Sequence, residues 1–138
     1  GIFVSPRLQW FHLRVAPQLA AGGAARVYLW RTPGAVIAAL YGLEAGPPAA
    51  RRFLYFQSGL DPELAHLSPG TILLSSVIED CIARGLQRFE FLRGDESYKR
   101  RWTSEQTHSV TVRGARGVPG RAYAWLRRRR LGNAEVQP

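Results

Sequence analysis

Apolar residues recur along this chain at spacings that switch from helical to strand-like and back, and the switches mark the elements. Leu8, Phe11, Val15 and Leu19 repeat at three- and four-residue intervals, which predicts a helix from Ser5 to about Ala21 with one apolar stripe. Pro17 lies inside that stripe and should kink the helix or end it early, because proline has no N–H to donate. Gly22-Gly23 stops it in either case. Arg26 to Arg31 (RVYLWR) is dense in β-branched and aromatic residues and reads as a strand. Ala35 to Glu44 (AVIAALYGLE) is apolar on both faces, as a central strand is, and Arg52 to Ser58 (RFLYFQS) reads as a third. Thr32-Pro33-Gly34 and Ala45-Gly46-Pro47-Pro48 supply the turns, and strands joined so closely form an antiparallel meander.

The pattern then changes. Gly59 to Leu67 reads as a loop, Ser68-Pro69-Gly70 as a helix start, and the helix runs to Arg84 with Gly85 as its cap. Leu73, Leu74, Val77, Ile78, Cys81 and Ile82 line one face; Ser75, Ser76, Glu79 and Asp80 line the other. Gln87 to Leu92 (QRFEFL) follows as a short strand, and a helix between two strands is a crossover that makes them parallel. Gly94 to Trp102 reads as a turn and short helix, Thr107 to Arg113 as an edge strand, and Arg121 to Leu131 as a basic helix after a loop. The predicted fold class is α/β, in the α+β sense of one mixed sheet with helices on both faces: a meander followed by a parallel crossover.

Size and charge narrow this picture. The chain has 138 residues, 46% of them apolar, enough for one core. No apolar run approaches bilayer length, and no signal-peptide pattern opens the chain. The one cysteine, Cys81, has no partner for an internal disulfide, which fits a cytoplasmic home. The chain opens at Gly1 without methionine and runs at once into apolar sequence, so the expectation is a C-terminal piece of a longer two-domain protein. A net charge of +9, almost all arginine, attracts nucleic acid, acidic lipid or a phosphorylated cofactor, or else reflects a high-GC genome that prefers arginine on solvated faces.

Two segments hold chemistry. The helix start at Ser68-Pro69-Gly70 leaves free N–H groups near Gly70, Thr71 and Ile72 at the positive end of the helix dipole, which suits a phosphate. The same residues equally make an ordinary helix start. Arg93 to Trp102 follows the C-terminal end of the predicted parallel strand, where open α/β sheets place ligands. It carries Asp95, Glu96, Tyr98 and Lys99 among arginines, and it reads either as a site or as a solvated loop with local ion pairs. His66 is a lesser candidate for a base; His12 reads as a helix-face residue making a structural hydrogen bond, and His108 as a strand residue. Their spacing suggests no metal site. Cys81 reads as core. The run Arg127 to Arg130, with Tyr123 and Trp125, either rests on an anionic surface or packs its aromatics on the domain.

In this order the segments resemble the C-terminal half of the bacterial CelD/BioF2-like acetyltransferases, a group of GNAT proteins related to the FemAB peptidyltransferases. The resemblance is carried by Ser58-Gly59 with Asp61-Pro62, by Ser68-Pro69-Gly70 and Gly85, and by Gly94-Asp95 followed by Tyr98-Lys99 and Trp102. It runs from about residue 8 to residue 113 and implies a GNAT-like domain over residues 1–116, with a basic helix and tail over 117–138. It implies a sheet splayed between the Tyr55-to-Ser58 strand and the Phe89-to-Leu92 strand, with the pantetheine arm of acetyl-CoA or another acyl-CoA in the split. The pyrophosphate would meet Ser68, Gly70 and Thr71, with Ser58 also among the cofactor-binding residues. The implied reaction is acyl transfer to an amine acceptor: Asp95 or Glu96 would deprotonate or position the acceptor, Tyr98 would protonate the leaving thiolate, and Lys99 would bind phosphate or stabilise negative charge. The group's N-terminal domain is the implied partner. Two features depart from the pattern: the glycine-rich loop is reduced to Ser-Pro-Gly, and Glu90 stands where aspartate is more usual. FemAB relatives use aminoacyl-tRNA, so a tRNA-dependent transferase, a nucleic-acid binder and a binding domain without catalysis stand as alternatives.

Overall fold

The structure, a computed structural model, describes residues 2–108 together with 110, 122, 123 and 125, and the chain divides into two units, residues 1–102 and 103–138. In the first unit, α1 (Pro6–Ala21) precedes β1 (Ala25–Thr32), β2 (Ala35–Ala45) and β3 (Arg52–Leu60). A 3₁₀ helix (Pro62–Leu67), α2 (Pro69–Ala83), β4 (Arg88–Glu90) and a 3₁₀ turn (Lys99–Arg101) follow. The sheet order is β1-β2-β3-β4; the first two pairings are antiparallel and the β3–β4 pairing is parallel. This is the predicted meander and crossover. Helix α1 runs through Pro17 to Ala21, so the proline does not end it early, and the stretch expected as a loop before Ser68 contains a 3₁₀ helix.

Alternation along β2 divides the core in two. Leu40 and Ala38 face α2, where they join Phe53, Leu73, Leu74, Val77 and Cys81 in one buried cluster. Tyr41, one residue on, points to the opposite face, where its ring meets His12 of α1. The helices therefore lie on opposite faces of the sheet. His12 sits among the rings of Phe3, Phe11, Tyr41 and Phe56, and its Nδ1 is buried with no hydrogen-bond partner among the described residues, in place of the hydrogen bond expected of it. Cys81 is buried, as expected, and burial pushes its thiol pKa up.

Gly42 lets β2 carry the ring of fully buried Phe53 directly against its backbone, and a Cβ at that position would overlap the ring. Gly42→Ala should cost about 1–3 kcal/mol, the usual penalty for overpacking a core, read as a lower urea midpoint at unchanged slope.

The far end of the sheet is tied by Glu44, whose side chain is 2% exposed and is met by Arg26, Arg51 and Arg84. Arg84 also pairs with Asp80, which accepts a hydrogen bond from Tyr28. One network thus joins β1, β2, the entry to β3 and the end of α2.

In the second unit Ala122, Tyr123 and Trp125 are helical, with both aromatic side chains exposed. Thr107 and His108 are not in a strand; the rest of the strand expected to Arg113, apart from Val110, lies outside the described residues, as does the Arg127 to Arg130 run.

Candidate active site

Strands β3 and β4 share only Arg52↔Arg88, Phe53↔Phe89 and Leu54↔Glu90. Beyond that point β3 continues for six residues, Tyr55 to Leu60, paired with β2, while β4 ends. The backbone leaves the extended region just after β4, with Leu92 at φ 57° and Gly94 at φ 106°. A positive φ on leucine is unfavourable and marks a turn held by its surroundings. The sheet therefore opens at the C-terminal end of its parallel pair.

A single extra residue decides which β3 side chains face the opening. Gly42 pairs with Tyr55 and Tyr41 with Gln57, which leaves Phe56 as a bulge. Without it, period-2 alternation would put Tyr55, Gln57 and Gly59 on one face. With it, Phe56 joins Tyr41 on the α1 side, and Ser58 and Leu60 turn to the α2 side with Tyr55. Tyr55 Oη and Ser58 Oγ consequently share a hydrogen bond.

These three β3 side chains form one wall of a cleft of about 320 Å³. Gly70, Thr71 and Leu74 from the first turns of α2 form a second, and Tyr98, Arg101 and Trp102 form a third. At the helix start, Thr71 and Ile72 N–H donate back to the Ser68 carbonyl at 3.0 and 3.2 Å. Pro69 has no N–H, and the Gly70 N–H has no acceptor among the described residues. Ser68 stands at the N-cap, as expected, but in a left-handed conformation (φ 51°, ψ 45°) and without a side-chain cap bond. It ends the 3₁₀ helix by donating its N–H to the Ala65 carbonyl, and that double duty fixes its backbone.

Of the predicted site residues, Ser58, Gly70, Thr71 and Tyr98 meet in the cleft; Ser68, Asp95, Glu96 and Lys99 are not among its lining. Lys99 is buried: its Nζ donates to the Arg93 carbonyl at 2.7 Å and pairs with Glu96 at 2.6 Å, holding the loop's shape. Asp95 is exposed and pairs with Arg100, whose hydrogen bonds hold its carboxyl below the ordinary range. Hydrogen bonding from Lys99 does the same for Glu96. Burial, and then the neighbouring Tyr55 hydroxyl, raise the Tyr98 pKa well above the ordinary phenol value, so it keeps its proton at any physiological pH. His66 is exposed and outside the cleft.

Sequence reasoning missed Tyr55, Leu60, Leu74, Arg101 and Trp102 as cleft residues. Trp102 was visible as a motif residue but without a place; Leu60 depended on the bulge, which leaves no mark in an apolar run such as RFLYFQS. Among the described residues no cluster of metal-ligating side chains occurs, and no helix is long and apolar enough to cross a membrane.

A family model described as an acetyltransferase (GNAT) domain matches residues 1–100. Two solved structures share the fold. The ribosomal-protein-alanine N-acetyltransferase of Brucella melitensis biovar Abortus 2308 is 11% identical over 70% of this chain and 76% of its own, with a TM-score of 0.54. An acetyltransferase of Trypanosoma brucei is 12% identical over 73% and 75%, with a TM-score of 0.56. No curated protein sequence matches the chain.

Proposed function

The chain belongs to the acetyltransferase (GNAT) domain family, and we propose that it moves an acyl group, acetyl first among them, from coenzyme A to an amine. The observation that carries this reading is the parting of β3 from β4 beyond Leu54 and Glu90, beside a helix start whose Gly70 N–H has no acceptor among the described residues. An opened sheet and a free amide at the positive end of a helix are what a long apolar arm ending in phosphates requires.

The residues present fit such a ligand. Leu60, Leu74 and Trp102 offer apolar wall, the Gly70 N–H and Thr71 hydroxyl offer donors, and Arg101 adds positive charge. Ser58 stands on the opened strand, and Ser68 acts through its carbonyl by holding the first turn in place. The thioester supplies a carbonyl at which a C–N bond replaces the C–S bond, with one proton passing overall from nitrogen to sulfur.

In this reading Tyr98 donates a hydrogen bond to the departing sulfur. With its pKa raised by burial, it does so while keeping its own proton, and the net proton reaches sulfur through solvent. The remaining roles, acceptor positioning by Asp95 or Glu96 and charge stabilisation by Lys99, require their present ion pairs to open. What the geometry supports for these three is the shape of the loop that presents Tyr98, Arg101 and Trp102.

The CelD/BioF2-like placement is part of the proposal. Its support is that Gly70, Tyr98 and Trp102 of the quoted motifs converge on the cleft, and that the motif lysine, Lys99, clamps the loop between them. An N-terminal partner domain and a cytoplasmic home belong to the same reading.

Thermal unfolding with acetyl-CoA, coenzyme A and RNA separates the alternatives. Acetyl-CoA at a hundred times its Kd should stabilise the protein by about 2.7 kcal/mol. Stabilisation by RNA alone would point to aminoacyl-tRNA use, and none by any of the three would contradict acyl transfer.

A further inference from the structure

The opened strand contributes more than a wall. Tyr55 lies on it with its hydroxyl bonded to Ser58 Oγ, and Tyr98, on the loop after β4, lines the same cleft. We propose that Tyr55 is a positioning residue, which, anchored by Ser58, aims the Tyr98 hydroxyl into the cleft. The proposal rests on the acyltransfer reading, in which Tyr98 is the group that faces the leaving sulfur.

Three observations converge on it. The Phe56 bulge turns Ser58 to the face that Tyr55 already occupies, one period of alternation along β2 from Gly42 to Leu40, and brings the two hydroxyls together. The Tyr55 ring is locked against Phe89 and Phe91, with centroids 6.4 and 5.8 Å away, and a ring held by packing gives its hydroxyl a fixed position. Tyr98, by contrast, sits on a turn and is more than one-third exposed, with no aromatic neighbour fixing its ring among the described contacts. A phenol with that much freedom needs a fixed partner to present its O–H in one direction. The other groups that bear on Tyr98 do not supply one: Glu96 is turned to Lys99, and α2 offers only Gly70, Thr71 and Leu74 to the cleft.

Tyr55→Phe tests this without risk to the fold, since the ring contacts remain. In the intact protein with acetyl-CoA and an amine that it accepts, Tyr55→Phe should lower kcat about tenfold and leave the KM for acetyl-CoA unchanged. Ser58→Ala should lower kcat by a smaller factor. In a Tyr98→Phe background Tyr55→Phe should cost nothing further, because its whole effect passes through Tyr98. Losses that multiply, or a KM that rises with kcat intact, overturn the proposal. A second readout needs no turnover: in protein carrying isotope-labelled tyrosine, the Tyr98 Cζ resonance at neutral pH should move in Tyr55→Phe and in Ser58→Ala. An unmoved resonance overturns the proposal even where catalysis is seen. A moved resonance in a protein that transfers no acyl group keeps the Tyr55–Tyr98 coupling and removes the acyltransfer reading instead.

Discussion

Glu44→Ala should lower the unfolding free energy by about 3 kcal/mol, a large share of the roughly 5–15 kcal/mol that a domain of this kind has. The carboxylate is 2% exposed, and Arg84 Nη1 and Arg26 Nε donate to its Oε1 at 2.5 and 2.6 Å, with Arg51 on Oε2. Removing it leaves three guanidinium groups converging without an anion. Arg26 and Arg51, 43% and 42% exposed, can turn to water, whereas Arg84, at 22%, is more confined and keeps Asp80 and the Tyr28 hydroxyl. That asymmetry is why the expected loss lies at the lower end of the 3–5 kcal/mol (an order-of-magnitude range) typical of a broken buried pair. Burial alone would raise the Glu44 pKa, but the hydrogen bonds from Arg84 and Arg26 outweigh it and hold the carboxyl below its ordinary value. A carboxyl depressed on folding contributes stability in full above its unfolded pKa and loses it as pH falls through the folded one. Urea midpoints of wild type and Glu44→Gln should therefore differ most near neutral pH and converge on acidification. A constant gap down to acid pH would place the effect outside the ion pairs. Asp95→Asn, on the surface, should leave the midpoint unchanged.

Tyr98→Phe should lower turnover on the order of 10²-fold while leaving the KM for acetyl-CoA nearly as it was. The substitution keeps the ring and deletes only the hydroxyl that the cleft presents. A group that acts on the leaving sulfur works in the transition state, so its loss appears in kcat rather than in binding. Steady-state kinetics with saturating amine reads both constants; an unchanged kcat removes Tyr98 from the chemistry.

Much of this architecture was legible because the strands and α2 are strongly patterned. RVYLWR, AVIAALYGLE and RFLYFQS each lie within an observed strand and differ from it by one or two residues at the ends. The crossover helix was placed to within a residue, since Pro69 and Gly85 punctuate it from outside. The fourth strand was read too long: QRFEFL has strand composition throughout, yet the ladder with β3 runs only from Arg88 to Glu90, because pairing ends where the sheet opens and Leu92 turns the backbone away. Local composition holds no record of where two strands separate. Helix α1 persists through Pro17 although proline gives up a hydrogen bond there, and its rings around His12 pack it on the sheet.

The site was legible in its backbone and less so in its side chains. Gly70 and Thr71 follow from a helix start, and a helix start can be read from Ser-Pro-Gly. Ser68 could not be read as left-handed, because that follows from the 3₁₀ helix it also terminates. Lys99 shows the limit most clearly. Charge alone marked it as a group for an anionic ligand, but it is buried, and two backbone carbonyls and Glu96 occupy its ammonium. The pairing of Tyr55 with Ser58 was invisible for the reason that makes it useful: one inserted residue at Phe56 rotates the strand beyond it by half a period.

The most direct measurement is an amide NMR titration of the protein with coenzyme A. Binding as described should shift the Gly70 and Thr71 amides most, with Ser58 and Leu60 on the opened strand next. Helix α1 and the Glu44 end of the sheet should stay still. Saturating coenzyme A that moves none of the α2 first-turn amides, or moves those of α1 instead, would contradict the account.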